Sequence, residues 1–260
     1  MNANANDLTK TESAHTTALS ADPPTTDQLL CELVSGVAPA TIADVIARMQ
    51  QIDALLPAAD GLKWFNRLYL MVTQQVDLHP PGGAWQSPVW LTRLDVDFAG
   101  FYFRALCEFL CGRAVPCAWS TLLKSRHRTG IDRIQFALAG MNAHINHDLA
   151  LALVQTDSEL GVTPALDSPE HIDFQSVNGL LTGLMPATLT MLAVDTLGVL
   201  AEDTGKIGRL LASLDIAAAR DLAWDFAGRL RELDGLAREA ALAAQDAITG
   251  AAGLALLAAV

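Results

Sequence analysis

The segment FALAGMNAHINHDLALALV, residues 136–154, places polar side chains in the middle of an otherwise apolar helical pattern. A solvent-facing stripe would carry polar residues along the whole helix, but here they occupy less than two turns. Apolar sequence on both sides therefore predicts a buried helix. Its polar groups need partners inside the protein, because a buried polar group without a hydrogen bond is costly. They are Asn142, His144, Asn146, His147 and Asp148.

Helical geometry divides these five residues between two faces. At about 100° per residue, His144, His147 and Asp148 share one arc, whereas Asn142 and Asn146 point to nearly the opposite side. We expect the imidazoles and the carboxylate to form a chemical face. The two amides are expected to bond to neighbouring backbone or to a substrate.

The same helical period recurs along the chain, and an alternation typical of strands does not persist anywhere. We therefore predict an all-α fold, a single compact multi-helix domain with an internal, partly polar cavity and roughly nine to eleven helices. Ser168 and Pro169 have the residue types of a helix start. Other helical patterns cover residues 29–34, 41–56, 62–76, 89–110 and 119–124.

The domain prediction separates a tail from one folded unit. Residues 1–26 are polar and predict a disordered tail, and residues 27–260 predict the helical domain. Residues 77–88 are interrupted by proline and glycine, and residues 187–260 are rich in alanine and leucine. Two or three helices are expected from Pro186 onward, and residues 207–249 are the final long amphipathic segment. Internal packing is its expected use, with a homodimer through the C-terminal helices as the alternative.

Composition excludes several classes of protein. The chain has 260 residues, is 51% hydrophobic and carries a formal net charge of -12. This acidic excess disfavours binding to nucleic acid or to an anionic membrane surface, because both kinds of binding require clustered Lys and Arg. The N-terminus has no apolar signal segment, and the apolar stretch 251–260 is too short to cross a bilayer. We expect a cytoplasmic protein that binds a small-molecule substrate.

The cysteines have no spacing typical of a zinc site. Cys107 and Cys111 lie one helical turn apart, so a thiol metal site is conceivable, but small apolar residues in a helical core are the favoured interpretation. The other two are Cys31 and Cys117.

A divalent metal such as Zn, Mn or Fe is one explanation of the chemical face. Two histidines and a carboxylate from one helix face can bind such an ion, with further ligands from elsewhere. Asp95 is the best candidate, because its helix face is apolar, and His171 is the second. Asp97 shares a face with Arg93 and is expected to form a solvated ion pair. A structural hydrogen-bond network and a metal-free catalytic or binding site remain as alternatives.

Polar residues also interrupt the apolar pattern of residues 64–76, where Asn66, Tyr69 and Thr73 share a face. Three helices with this feature predict one lined pocket, mostly apolar with a few convergent polar groups. The residues expected to bind substrate there are Asn66, Tyr69, Tyr102, Asn142, Asn146 and Asn178.

Several common motifs are absent from the sequence: a phosphate-binding glycine loop, a nucleophile elbow, a His-Glu-x-x-His helix and the Glu-x-x-His pattern of di-iron bundles. The basic stretch Ser125–Arg128 is expected to be a solvated loop.

Four blocks resemble a bacterial family of helical proteins of unknown function. They are residues 65–73, 90–106, 134–153 and 170–181, and the run AGMNAHINHDL, residues 139–149, is the most specific of them. The similarity covers about residues 60–182. It implies a compact helical protein and implies no particular reaction.

The leading hypothesis is an enzyme, a lyase, cyclase or hydrolase, that acts on a small, largely apolar substrate in the helical cavity. His144 or His147 would act as a metal ligand or general base, and Asp148 would orient an imidazole or ligate. A bacterial biosynthetic role fits such chemistry. The competing hypothesis is a helical protein that binds a ligand or partner without catalysis, in which the cluster is structural.

Overall fold

The computed structural model describes residues 23–78, 84–193 and 215–258, and these contain helices and no β-strand. A π turn joins the sixth and seventh α-helical segments into one continuous helix, so the described residues form nine helices, as predicted. The segments are α1 (Thr26–Ser35), α2 (Ile42–Leu55), α3 (Leu62–Leu78), α4 (Pro88–Leu110), α5 (Cys117–Ser125), α6 (Arg133–Ala143), the π turn (His144–Asp148), α7 (Leu149–Leu160), α8 (Pro169–Ala193), α9 (Ile216–Glu232) and α10 (Gly235–Ala258).

Local sequence explains where the first helices begin. Thr25 caps α1 and Thr41 caps α2, and in both cases the threonine side chain accepts a hydrogen bond from the backbone N–H three residues later. The side-chain oxygens of Gln28 and Asp44 in turn accept a hydrogen bond from the backbone N–H of the capping threonine, which completes a capping box.

The continuous helix formed by α6, the π turn and α7 lies at the centre of the molecule. Every residue from Ile134 to Ala143 is buried. α3, α5 and α10 pack against α6, whereas α4 and α9 pack against α7. A methyl group at Gly140 would overlap the ring of Phe65, so glycine is what lets α3 approach α6 this closely. The prediction of a buried central helix is therefore confirmed.

The structure divides the predicted amphipathic segment 207–249 between two helices. α9 ends at Glu232 and α10 begins at Gly235, whose φ of 45° lies in the left-handed region that glycine adopts easily. Residues 207–214 of the predicted segment, and residues 1–22 of the predicted tail, lie outside the described residues.

α10 contains residues 251–258 of the apolar stretch noted in the sequence and begins well before them, at Gly235. It has 24 residues and is the one helix in the described part of the chain that is long and apolar enough to cross a bilayer. Core helices of water-soluble proteins also meet this criterion, so the observation is weak evidence for a membrane. Large apolar side chains are exposed on α9 and α10, among them Leu222, Leu236 and Ile248. Cytoplasmic location and a dimer through these helices stay predictions.

The basic stretch 125–128 is not a solvated loop as a whole. Arg126 is 1% exposed, and its guanidinium forms ion pairs with Asp27 and with Asp60, the latter at 3.3 Å. The prediction fails because a short loop sequence does not reveal which helices fold back over it.

Candidate functional site

The π turn contains one extra residue per turn, and it coincides with the polar cluster His144–Asp148. Such turns are rare and occur frequently at functional sites. Asp148 is buried at the end of the turn, and His144 is completely buried one turn earlier. The carboxylate and the two imidazoles that the sequence assigned to one face do lie together.

Asp148 is the centre of a hydrogen-bond network. Its Oδ2 lies 3.0 Å from Nδ1 of His144 and accepts a bond of 2.8 Å from the indole N–H of Trp119. Its Oδ1 lies 2.7 Å from Nδ1 of His147. Because both carboxylate oxygens accept from donors, Asp148 fixes the orientation of both imidazoles.

Electrostatics separate the two histidines. Burial lowers the pKa of His144 below the ordinary value for histidine, and Asp148 offsets only part of this effect. Burial would also lower the pKa of His147, but the hydrogen bond and charge of Asp148 outweigh it and raise that pKa. Burial would raise the pKa of Asp148, whereas its hydrogen bonds to His144 and His147 hold it below the usual value. The network therefore favours a neutral His144 and an ionised Asp148, and it makes His147 easier to protonate than free histidine.

His147 continues the network toward the surface. Its Nε2 lies 3.8 Å from Oδ1 of Asp246 on α10, and Asp246 is partly exposed. The Asp246 carboxylate also accepts the backbone N–H groups of Cys117 and Ala118 at the start of α5. The chain of titratable groups thus runs from the buried His144 through Asp148 and His147 to a carboxylate near solvent.

Aromatic rings enclose the other side of His144. Its ring stacks on Phe98 with 3.5 Å between centroids and an interplanar angle of 6°, and the Tyr69 ring lies edge-on at 4.4 Å. Nδ1 faces Asp148, so Nε2 lies on the ring edge directed away from that carboxylate. It has no hydrogen-bond partner among the described residues.

A cavity of about 40 Å³ lies beside His144, between α3, α4, the central helix, α8 and α9. Most of its wall is apolar, including Leu94, Phe98 and Leu149. Four residues bring polar groups to this wall: Tyr69, Asp95, His144 and Arg220. Each has one buried atom without a hydrogen-bond partner in the described part of the chain: the Tyr69 hydroxyl, Asp95 Oδ2, His144 Nε2 and Arg220 Nε.

The Asp95 carboxyl and the Arg220 guanidinium have opposite charges and shifted pKa values. Burial raises the pKa of Asp95 to about 7, although Arg220 partly counteracts the shift. Burial also lowers the pKa of Arg220 to about 10, so the guanidinium stays charged near neutral pH. Arg220 donates a 2.6 Å bond to the backbone oxygen of Phe174. Perturbed groups in an apolar cavity are typical of catalytic or binding sites.

Five of the six residues predicted to bind substrate divide into three groups. Tyr69 lines the cavity. Asn66 and Tyr102 instead bond to each other at 3.2 Å, and the Asn66 amide donates to the Met49 backbone, so the core uses both. Asn142 and Asn146 line a separate cleft of about 300 Å³ beside α9 and α10. The helix face that carries Asn142 and Asn146 therefore borders this cleft, whereas the face that carries His144 borders the smaller cavity.

The sixth predicted substrate residue, Asn178, lies on α8. Its amide N–H donates to the Gln175 side chain at 2.9 Å, and its Oδ1 is buried without a partner among the described residues. It does not line the cavity, although its neighbour Val177 does.

The five predicted metal ligands are not assembled into one ligand set. Nδ1 of His144 and Nδ1 of His147 both face Asp148, whose oxygens their bonds occupy. His171 accepts the backbone N–H of Asp167 at 3.1 Å and lies against Trp224, and it is not part of the cavity wall. Across the residues the structure describes, no group of three or more His, Cys, Asp or Glu is arranged to hold a metal ion.

Asp97 is not the solvated ion pair that was expected. It pairs with Arg93, as predicted, but it is buried and also accepts bonds from Gln155 and from the Thr156 hydroxyl at 2.7 Å. Asp97 is therefore a buried carboxylate with hydrogen-bond partners, whereas Asp95 Oδ2 has none among the described residues.

Sequence reasoning missed Arg220, Trp119 and Asp246. Arg220 stands in the run AAARDLAW, residues 217–224, where a charged pair beside alanines is typical of an exposed helix face. Nothing in the sequence around Trp119 indicates its role, because only the folded chain brings its indole N–H within hydrogen-bond distance of Asp148.

A sequence model of a family of unknown function, DUF5995, matches residues 42–259. Comparisons with curated proteins and with solved structures give no significant match.

Proposed function

The chain belongs to DUF5995, a family of unknown function, and we propose from its geometry that it is an enzyme in which His144 transfers protons to and from a small, largely apolar substrate. The observation that carries this proposal is the convergence of four unpartnered buried polar atoms on one apolar cavity. Native proteins leave few such atoms, and each represents a cost that a ligand can remove. A site that binds or transforms a polar group explains all four together.

His144 has the properties of a general base. Asp148 accepts its Nδ1–H, so the free lone pair is on Nε2, and the lowered pKa keeps the ring neutral near physiological pH. Asp148, hydrogen-bonded and ionised, would stabilise the imidazolium that forms when Nε2 takes a proton.

Asp95 and Arg220 supply the complementary chemistry. A carboxyl with a pKa of about 7 can exchange a proton near neutral pH, so Asp95 suits the role of general acid. Arg220 would stabilise negative charge that develops on a substrate oxygen, and the Tyr69 hydroxyl would donate a hydrogen bond to it. Hydrolysis, elimination and cyclisation each use such a base, acid and oxygen-binding group.

Cavity size limits the substrate. A volume of about 40 Å³ holds only a few water molecules. Val177 and Leu181 of α8 form part of the wall. In this proposal these side chains move when a substrate binds, and the apolar wall selects an apolar molecule with one polar reacting group.

A conversion assay tests the proposal. The purified chain is incubated with the small-molecule fraction of a bacterial extract, and the mixture is followed by mass spectrometry. We expect one compound to be converted, with a rate at least about 100-fold lower for His144→Asn, a typical loss for a general base. The product gains water in hydrolysis, loses it or another small molecule in elimination and keeps its mass in an isomerising cyclisation.

His171→Asn is the matched control, because this histidine lies off the cavity, and it should convert the compound at the wild-type rate. Conversion by His144→Asn at that same rate, or no conversion by the wild type, contradicts an enzyme with this base.

The fully bonded Asp148 and the small cavity support a second candidate, a protein that binds a ligand without converting it. In that case the same assay shows a compound retained by the folded wild type and recovered unchanged after denaturation.

A further inference from the structure

Three of the four cysteines lie together where the end of α4 meets α1. Sγ of Cys31 and Sγ of Cys111 are 3.4 Å apart. The Ser35 hydroxyl lies between Cys107 and Cys31, 3.3 Å from Sγ of Cys107 and 3.8 Å from Sγ of Cys31. The sequence predicted small apolar residues in a core, but Cys111 is exposed, and Cys31 and Cys107 are half-buried. The prediction holds for Cys107, which packs against the core, and fails for Cys111, because α4 ends there and leaves its last turn at the surface.

This thiol cluster borders an open cleft of about 600 Å³ on the side of α4 that faces α1 and α2. Ser35, Cys107, Cys111 and Arg113 contribute to its wall. The Arg113 guanidinium pairs with Glu108 and lies 3.8 Å from Sγ of Cys107. Small oxidants in solvent can therefore reach Cys107 and Cys111 from this cleft.

We propose that Cys31 and Cys111 are a reversible thiol oxidation site that forms a disulfide between α1 and the end of α4 when a peroxide is present. A disulfide requires an S–S distance of about 2.05 Å, so the two sulfur atoms must approach by only about 1.4 Å. Cys107 is less well placed, because the Ser35 hydroxyl lies between it and Cys31.

The chemistry takes two steps. The thiolate of one cysteine attacks a peroxide oxygen and breaks the O–O bond, which gives a sulfenic acid and hydroxide. The second sulfur then attacks the sulfenic sulfur, forms the S–S bond and expels the hydroxyl group, which leaves as water with the proton of the second thiol. In total, two thiols lose two electrons and two protons, and hydrogen peroxide becomes two water molecules.

The hydrogen bond with Cys31 raises the pKa of Cys111 above its usual value. Because the thiolate is the reacting form, oxidation should be faster in mildly alkaline solution than at neutral pH.

Oxidation of the full chain with dilute hydrogen peroxide, followed by alkylation, intact mass measurement and peptide mapping, tests this proposal. We expect the loss of two hydrogen atoms, one peptide pair joined through Cys31 and Cys111, and complete reversal by dithiothreitol. Cys31→Ser and Cys111→Ser should each abolish the cross-link. Cys117→Ser, an exposed cysteine outside the cluster, should form it as the wild type does.

A second measurement uses stability. A cross-link across about eighty residues restricts the unfolded chain, so the oxidised protein should melt several degrees higher than the reduced one, and only where both cysteines are present. A disulfide that includes Cys107, added oxygen atoms without a cross-link, or thiols that stay reduced under peroxide would each overturn the proposal.

Discussion

Replacing Asp148 by alanine should lower the free energy of unfolding by about 3 to 5 kcal/mol, the loss typical of breaking a buried charged network. The substitution leaves the indole N–H of Trp119 and the facing nitrogens of His144 and His147 without their common acceptor. All three groups are mostly or completely buried, so water replaces few of the lost bonds. Urea unfolding followed by tryptophan fluorescence and circular dichroism measures the change.

Asp225→Ala is the control for Asp148→Ala. Asp225 lies on the exposed face of α9, and its replacement should change the free energy of unfolding by less than about 0.5 kcal/mol. Asp148→Asn keeps the size of the side chain and one acceptor oxygen, so its loss should fall between the two. If Asp148→Ala costs no more than the control, Asp148 does not organise the site.

The opposite effect is expected at Asp95: Asp95→Asn should make the protein more stable above neutral pH by about 2 to 4 kcal/mol. Asp95 has a pKa of about 7 in the folded chain, against an ordinary value of 3.8. Below pH 3.8 the Asp95 carboxyl is protonated in both the folded and the unfolded chain, so folding buries no charge at this position. As the pH rises from 3.8 to about 7, the unfolded chain loses this proton first, so the folded state loses stability.

Asparagine cannot ionise, so the variant escapes this loss. The difference in unfolding free energy between Asp95→Asn and the wild type should therefore be small near pH 4 and reach its full value near pH 8. Denaturant unfolding at several pH values measures it. In the proposed enzyme, the same substitution also removes the general acid, so the gain in stability comes with a loss of activity, as at other functional sites.

Asp97→Asn is the matched control, two residues away on the same helix. Asp97 accepts bonds from Arg93, Gln155 and Thr156, so its neutralisation should lower the free energy of unfolding near pH 8. An Asp95→Asn protein that is less stable than the wild type at that pH would show that the Asp95 carboxylate is satisfied, contrary to its geometry.

The helices could be predicted because their determinants are local. The apolar period of residues 62–76 lies within α3, and Thr41 caps α2 through a bond to Asp44 three residues later. Two or three C-terminal helices were expected, but the position of the break between α9 and α10 was not predicted, because the alanine-rich period continues through Leu233 while Gly235 turns the chain.

Only part of the site could be predicted. Helical spacing brought His144 and Asp148 onto one face, and the apolar neighbours of Asp95 correctly indicated a costly carboxyl. Arg220 could not be found, since its burial depends on how α8, with Phe174, packs against α9. The placement of His144 and Asn142 in two separate cavities also depends on tertiary packing, because α9 and α10 create the cleft beside Asn142.

The protonation state of His144 is the most direct test of the proposed base. Long-range proton–nitrogen correlation spectra of the ¹⁵N-labelled protein, with His144→Asn for assignment, report which ring nitrogen carries hydrogen. The account predicts a neutral His144 with hydrogen on Nδ1 and none on Nε2 near pH 7, while His147 keeps its proton to a higher pH than free histidine. A His144 ring that carries hydrogen on Nε2 near pH 7, as the other tautomer or as imidazolium, would contradict it.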